Sequence, residues 1–210
     1  AGGAVCATAT DLAKWQAALD SGRVLTPSSL ALMRTPTTLA DGTKIDYGLG
    51  TRLGSLDGHR VLGHAGGESR GGFRPLLESF PDDHLTIVIL MNMGDAASPS
   101  PVVVTPEIAR AALRLKKNAL LNLPVPGAEL AALSGKYDSD EGPVEIFARD
   151  GKLHFRIPGD KTEGVLRRQA ENVYAINDNT EARFVMSGGR AEWSMVYIGG
   201  LLLDAKYRTR

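Results

Sequence analysis

The segment Leu85–Asn92, with the sequence LTIVILMN, is the feature that most constrains the fold of this chain. It is rich in β-branched and aliphatic residues at successive positions, which is typical of a strand covered on both faces. Three strand-like runs precede it, Tyr47–Leu53, Arg60–His64 and Phe73–Phe80. Pro81–His84 has the length of a hairpin loop. This region is therefore predicted to be an antiparallel sheet, with LTIVILMN as a central strand between helices.

Helical patterns flank these strands. Thr8–Leu19 has apolar residues on one face, and Thr8 and Asp11 are spaced as a capping box. Pro27–Met33 opens with proline in its first turn and predicts a second, short helix. Pro106–Leu121 returns to helical spacing and is predicted to cover one face of the sheet.

The pattern changes after Leu123–Gly127, where two prolines and a glycine oppose a helix. Beyond this segment short strands alternate with Gly- and Asn-rich turns, which indicates a small all-β barrel or sandwich. The fold class predicted is α+β: an antiparallel sheet with flanking helices, followed by a small all-β, barrel-like domain. The predicted domains are residues 1–122 and 130–210, with a linker at 123–129.

Composition excludes several classes of function. The 24 Lys and Arg balance the 24 Asp and Glu, which gives no reason to expect nucleic acid as a partner. No apolar run is long enough to span a membrane. The single cysteine, Cys6, allows no intrachain disulfide and is predicted to be a small buried hydrophobe. His59, His84 and His154 lack metal-ligand spacing and are predicted to be surface or turn residues, so neither a metal nor a cofactor is expected.

Glycines cluster around one histidine in Gly63–Gly67, the sequence GHAGG. Glycine at this density lets the backbone approach a ligand and leaves N–H groups exposed, as an oxyanion hole requires. The same pattern also fits a Gly-rich hairpin with a histidine at its edge. The residues alone leave both interpretations open.

The order of segments from residue 1 to about 120 resembles the C-terminal half of the β-lactamase-like serine hydrolases. The resemblance lies in YGLGTRL at Tyr47, GHAGG at Gly63 and GGFRPLLESFPDDHLTIVILMN at Gly71, with GGAVCATATDLAKW and LTPSSLALMRTP upstream. That group includes class C β-lactamases, D-alanyl-D-alanine carboxypeptidases, D-aminopeptidases and esterases. It implies a periplasmic or secreted location. The tail from about residue 130 resembles barrel-like domains appended to some of these hydrolases, for which a structural or substrate-gating role is expected.

The resemblance implies roles for five residues. In the family a Ser-x-x-Lys, a Tyr-x-Asn and a His-x-Gly or Lys-Thr-Gly motif converge, and His64-Ala65-Gly66 matches the last. His64 would orient the tyrosine and attract a substrate carboxylate, and the Gly67 N–H would be the second oxyanion donor. Ala65 and Gly66 would line the substrate strand. Asn92 would contact a substrate carboxylate, although a strand-end asparagine capping a turn is an equally good interpretation.

Two departures shape the expected function. No serine in the chain is followed three positions later by lysine, so the nucleophile is absent. Ala65 replaces the threonine of many penicillin-binding relatives, which favours an esterase or peptidase over an efficient β-lactamase.

The chain is therefore expected to be a fragment of a serine acyl hydrolase. Its substrate would be a small molecule or peptide with an ester, amide or lactam carbonyl. Its partner would be the missing N-terminal half of the same protein, without which the chain is expected to be inactive and to self-associate. The alternative is a non-catalytic binding or interaction module.

Overall fold

The computed structural model describes residues 5–67, 72–92, 100–159 and 161–209. It divides the chain into two compact units. Unit 1 comprises Ala1–Lys116 with Gly199–Leu201, and unit 2 comprises Lys117–Ile198 with Leu202–Arg210. The predicted fold class, α+β with antiparallel strands and a barrel, is confirmed. No helix in the described ranges is long and apolar enough to cross a membrane.

Unit 1 is an antiparallel sheet with helices. Its strands follow the order β3-β4-β5-β6, and β1 pairs separately with β2. The element bounds are α1 (Ala9–Asp20), α2 (Pro27–Met33), β1 (Thr37–Thr38), β2 (Lys44–Ile45), β3 (Arg52–Leu56), β4 (His59–Ala65), β5 (Arg74–Phe80), a 3₁₀ turn (Pro81–Asp83), β6 (Leu85–Met91) and α3 (Pro101–Leu113).

Local signals determine where the first helices begin. Thr8 caps α1, and its side chain accepts a hydrogen bond from the Asp11 N–H while the Asp11 carboxylate bonds back to Thr8. The predicted capping box is thus confirmed. In α2 the Thr26 side chain accepts from the Ser29 N–H and proline occupies the first turn, so the helix has the predicted bounds.

Three predictions at the level of single elements are wrong. The first of the four strands begins at Arg52 rather than Tyr47, and Tyr47 makes only an isolated bridge to Arg52. Helix α3 spans Pro101–Leu113 instead of Pro106–Leu121. Pro101, not Pro106, is the proline of its first turn, and Arg114 ends it in the left-handed conformation at φ 56°. Cys6 is exposed rather than buried.

The strand LTIVILMN also lies elsewhere than predicted. Among the described strands β6 is the last in the sheet order and not a central one. Its residues are apolar because helices α1 and α3 both pack against β6. An apolar run of this kind indicates that the strand is covered by helices, and it does not indicate how many strands lie beside it.

The core of unit 1 lies between α3 and one face of the sheet. Phe80 and Val61 are fully buried there, and Ala109 of α3 contacts them without any exposed surface. Arg110 of the same helix donates to the Asp57 carboxylate over 2.6 Å. Asp57 is in the tight turn between β3 and β4, where it and Gly58 have φ values of 50° and 90°. The ion pair thus attaches this turn to α3.

Unit 2 is a closed barrel of eight strands, in which β14 pairs with both β7 and β13. In the described residues the neighbouring strands β7 to β13 pair antiparallel in chain order, and β14 pairs antiparallel with β7. The element bounds are α4 (Gly127–Leu133), β7 (Gly135–Asp138), β8 (Val144–Arg149), β9 (Lys152–Arg156), β10 (Glu163–Ala170), β11 (Val173–Asn177), β12 (Thr180–Ser187), β13 (Arg190–Ile198) and β14 (Leu201–Arg208).

The barrel interior is packed with side chains. The rings of Tyr137 and Tyr174 both meet Phe184 edge to face at 5.9 Å. Leu153 and Leu166 are buried in the same cluster, and Leu133 of α4 joins it without exposed surface. A core filled in this way stabilises unit 2 by packing.

The segment predicted as a linker is attached to the barrel. The Leu123 N–H donates to the Arg168 carbonyl over 3.1 Å. The Gln169 side chain bonds both the N–H and the carbonyl of Leu121, at 2.9 and 2.8 Å. Residues 127–129 form the first turn of α4. The domain boundaries inferred from the sequence stay a prediction.

A buried ion pair joins α4 to the barrel wall. Arg168 donates two hydrogen bonds to the Glu129 carboxylate, at 2.9 and 2.7 Å, and the Tyr174 hydroxyl donates a third. The Glu129 side chain is 11% exposed. The bonds from Arg168 and then Tyr174 lower the pKa of Glu129, against the opposing effect of burial.

We expect Glu129→Gln to destabilise unit 2 by about 2 kcal/mol at pH 7, because charge-assisted hydrogen bonds are lost. A carboxylate with a lowered pKa stabilises the fold above its usual pKa of 4.5, and this contribution is lost as the pH falls below that value. The difference in unfolding free energy between the two proteins should therefore narrow in acid. Urea denaturation from pH 7 to pH 3 measures it, with Glu163→Gln at an exposed pair as the control. A difference that does not change with pH would contradict the prediction.

Candidate active site

The Gly-rich motif lies at the end of β4. His64 is opposite Leu77 of β5 and Ala65 is opposite Leu76, both in antiparallel register. The Gly66 N–H continues the ladder by donating to the Pro75 carbonyl over 2.8 Å. His64 is exposed, although Leu62 and Gly63 before it are buried. The motif thus passes from the sheet interior to its surface within three residues.

The Gly67 N–H directly follows the last described ladder bond of β4, from Gly66 to Pro75. In the described part of the chain it donates to no acceptor. Gly67 is exposed, and a Cβ on it would lie 3.6 Å from the Phe73 carbonyl oxygen, an ordinary contact. As far as the described residues go, this N–H is available to a ligand. Gly71, which the sequence pattern placed in the same loop, lies outside the described residues.

Asn92 is exposed and immediately follows β6. Strand β5 lies between the motif strand β4 and β6, and its Arg74 is opposite Met91 of β6. Asn92 therefore lies at the same end of the sheet as Gly66, which bonds to Pro75 of β5. This position agrees with either interpretation of the asparagine, a substrate contact or a turn cap. Its role stays a prediction.

The structure adds Tyr47 to this site, and the sequence did not indicate it. The Tyr47 hydroxyl is 3.0 Å from Nε2 of His64. The two rings meet edge to face, with centroids 5.8 Å apart and planes at 79°. Tyr47 belongs to the YGLG segment quoted above, but no spacing rule links it to a residue 17 positions later.

Two effects lower the pKa of His64. Partial burial of the imidazole lowers it from 6.5, and the positive charge of Arg52 lowers it further. A backbone hydrogen bond at Ala65 partly opposes both effects. A lowered pKa favours the neutral imidazole, and the role of His64 towards a substrate stays a prediction.

Glu78 is a second residue that the sequence did not indicate. It is opposite Gly63 in the β4–β5 ladder and is 6% exposed. A Cβ on Gly63 would lie 2.9 Å from Cγ of Glu78, so the glycine makes room for this side chain. Burial raises the pKa of Glu78 to about 8, against the opposing charge of Arg52. The raised pKa favours the protonated carboxyl at neutral pH. Glu78 lies on β5, opposite the residue that precedes His64 on β4.

Two of the other histidines, His59 and His154, make contacts outside this site. His59 bonds both carboxylate oxygens of Asp83 through Nδ1 at 2.9 Å. His154, predicted to be a surface or turn residue, is buried and stacks on Phe147 at 5.6 Å. In the described ranges no three His, Cys, Asp or Glu side chains are grouped so that they could hold a metal ion.

Comparison with protein families gives a match to unit 1. The family model described as Beta-lactamase matches residues 1–103. This match supports a β-lactamase-like hydrolase relationship for that region, in agreement with the resemblance seen in the sequence. The comparison with curated proteins gave no match.

Two solved structures are similar over almost the whole chain. A crystal structure of SurE with D-Leu has a TM-score of 0.52 and 21% identity, covering 96% of this chain and 50% of that one. A crystal structure of SurE has a TM-score of 0.51 and 22% identity, covering 96% and 48%. At this identity the likeness concerns the fold. The chain spans about half the length of these solved chains.

Proposed function

We propose that this β-lactamase-like chain forms the motif strand and one oxyanion donor of a serine acyl hydrolase whose nucleophile lies outside these 210 residues. The observation that supports the proposal is the arrangement of polar groups at the end of β4. There an exposed histidine is followed, three residues later, by an N–H that has no acceptor in the described ranges. Backbone N–H groups aimed at a reacting carbonyl are what acyl transfer requires.

The chemistry follows from this arrangement. A serine Oγ from the rest of the protein attacks the carbonyl carbon, and the carbonyl oxygen becomes an oxyanion. The Gly67 N–H and the N–H of the serine would donate to that oxygen. When the intermediate collapses, the bond to the leaving group breaks, the leaving group takes up the serine proton, and the acyl-enzyme remains. Water then cleaves the acyl-enzyme, which releases the acid and regenerates the serine. The donor must be preorganised, and the β4–β5 ladder next to Gly67 supports it in that position.

The substrate class follows from Ala65. A threonine at this position would offer a hydroxyl to a carboxylate, whereas alanine offers a methyl group. We therefore propose an ester or peptide substrate in preference to a β-lactam. Since one of the similar solved structures is SurE with D-Leu, an ester of D-leucine is a reasonable first test compound.

The direct test is acylation. We expect the 210-residue chain not to be labelled by a fluorescent penicillin or a fluorophosphonate, because no Ser-x-x-Lys is encoded in it. The protein expressed from the full reading frame should be labelled once by the fluorophosphonate, at a serine upstream of Ala1. Mass spectrometry of the labelled peptides identifies the site, and replacing that serine by alanine is the control.

Two results would overturn the proposal. One is stoichiometric labelling traced to a serine within the 210 residues. The other is a full reading frame with no upstream Ser-x-x-Lys, which would favour a non-catalytic binding module.

A further inference from the structure

We propose that Tyr47 is a positioning residue, whose hydroxyl donates to Nε2 of His64 and so holds the imidazole in one orientation and one tautomer at the edge of the site. The importance of this for catalysis rests on the proposed function. The hydrogen-bonded pair itself does not depend on it and can be tested on this chain.

Two contacts fix the geometry of the pair. The 3.0 Å separation between the hydroxyl oxygen and Nε2 is a normal hydrogen-bond distance. The edge-to-face ring contact, with centroids at 5.8 Å, also restricts the tilt of the imidazole. A distance and an angle together leave the ring little freedom to rotate about its terminal bond.

Tyr47 is well placed to act as an anchor because its backbone is held on both sides. Its N–H donates to the Ile45 carbonyl over 2.8 Å, and its carbonyl accepts from the Thr37 N–H over 3.0 Å. The next residue, Gly48, has no space for a side chain, since a Cβ would lie 2.0 Å from the Met33 carbonyl oxygen. The tyrosine is thus built into a tightly packed turn, on a different element from the histidine that it orients.

The direction of the hydrogen bond follows from the chemistry of the two groups. A phenol is a good hydrogen-bond donor, and the lone-pair nitrogen of a neutral imidazole is a better acceptor than a phenolic oxygen. With the ring proton on Nδ1, the lone pair lies on Nε2, which accepts. The Tyr47 hydroxyl is the donor that faces it.

This assignment changes the role of His64. With Nε2 occupied by Tyr47, His64 is not available as a general base through that nitrogen. The polar group that the pair presents to a substrate is then the phenolic oxygen of Tyr47, which has a lone pair free for an N–H or O–H of the substrate.

The test is the tautomer of His64, measured by two-bond ¹H–¹⁵N correlation spectra of the histidine-labelled chain from pH 5 to pH 8. We expect wild type to have its proton on Nδ1 and its lone pair on Nε2. In Tyr47→Phe the ratio of the Nδ1–H tautomer to the Nε2–H tautomer should fall roughly fivefold, because about one hydrogen bond that favours the first is lost. The titration midpoint of His64 should also move to higher pH, because a bond to the neutral form is gone. His64→Gln identifies the signals among the four histidines.

Tyr207→Phe is the matched control, since Tyr207 is 51% exposed and lies in unit 2. It should leave the His64 signals unchanged. The proposal is overturned if wild type has its proton on Nε2, or if Tyr47→Phe leaves both the tautomer ratio and the midpoint as in wild type.

A second measurement covers the case in which Tyr47→Phe disturbs the fold. Incorporation of 3-fluorotyrosine keeps the hydroxyl and makes it a stronger donor, so the Nε2 resonance should shift further towards the hydrogen-bonded value. No shift would count against the pair. Because neither measurement needs the nucleophile, a failed acylation test would leave these results standing, and a failed tautomer test would leave the proposed function standing.

Discussion

Replacing Glu78 by glutamine will stabilise unit 1 by about 5 kcal/mol at pH 8 and by little at pH 4. Glu78 is 6% exposed, and burial raises its pKa to about 8. In the unfolded chain the same carboxyl ionises near 4.5. Between these two values the folded protein retains a proton that the unfolded protein has lost, and each pH unit costs about 1.4 kcal/mol of stability. Glutamine has the same shape and does not ionise, so the penalty disappears.

The pH dependence has a definite sign. The unfolding free energy of wild type should fall as the pH rises from 4.5 to about 8, and should be flat with respect to this group above that range. Glu78→Gln should lack this decline. The measurement is urea denaturation at several pH values in a Trp193→Phe background, because the chain has two tryptophans and only Trp15 belongs to unit 1.

Asp82→Asn is the control for removing a carboxylate from unit 1. Asp82 pairs with Arg60 at the surface, where its side chain is 63% exposed, and such pairs contribute little. Its pH profile should follow that of wild type. Equal unfolding free energies for wild type and Glu78→Gln at pH 8 would show that Glu78 is ionised in the folded protein at no cost, contrary to the prediction.

The second large effect is expected at Gly67. In an enzyme that carries the nucleophilic serine together with this chain, Gly67→Pro should lower kcat on the order of a hundred- to a thousand-fold, because proline deletes the N–H that donates to the oxyanion. The ladder bond from the Gly66 N–H to Pro75 is not affected by this change. The loss should therefore appear in kcat with a much smaller change in thermal stability.

Gly67→Ala distinguishes the effect of losing the backbone N–H from the effect of adding a side chain. Alanine retains the N–H, its Cβ would lie 3.6 Å from the Phe73 oxygen, and Gly67 is not among the glycines with positive φ. This variant should keep kcat within a few-fold of wild type. Steady-state kinetics on an ester substrate, paired with thermal melts, decide the outcome. A Gly67→Pro enzyme with unchanged kcat would remove Gly67 from the site.

Features that depend on neighbours along the chain could be predicted from the sequence. The Thr8 and Asp11 capping box and the bounds of α2 needed only residues within one helical turn. Strands β3 to β6 of unit 1, apart from the start of β3, and the β-rich character of unit 2 followed from short-range apolar patterns and glycine turns. The Gly-rich motif was recognised for the same reason, since its residues are consecutive.

Features that depend on long-range contacts could not be predicted. The position of β6 at the end of the strand order, the closure of β14 on β7, and the true start of α3 all depend on which distant segments meet. An apolar strand has the same pattern at the centre or the end of a sheet, as long as both faces are covered.

The same limit applies to the site. The sequence by itself determined that His64, Ala65, Gly66 and Gly67 lie together at the end of a strand, because consecutive residues cannot be far apart. Only the tertiary structure decided that Tyr47 faces His64 and that Glu78 is buried opposite Gly63. Both depend on the register between strands and turns distant in sequence. The protonation states of His64 and Glu78 depend on that register too, because burial and the charge of Arg52 arise only when the chain is folded.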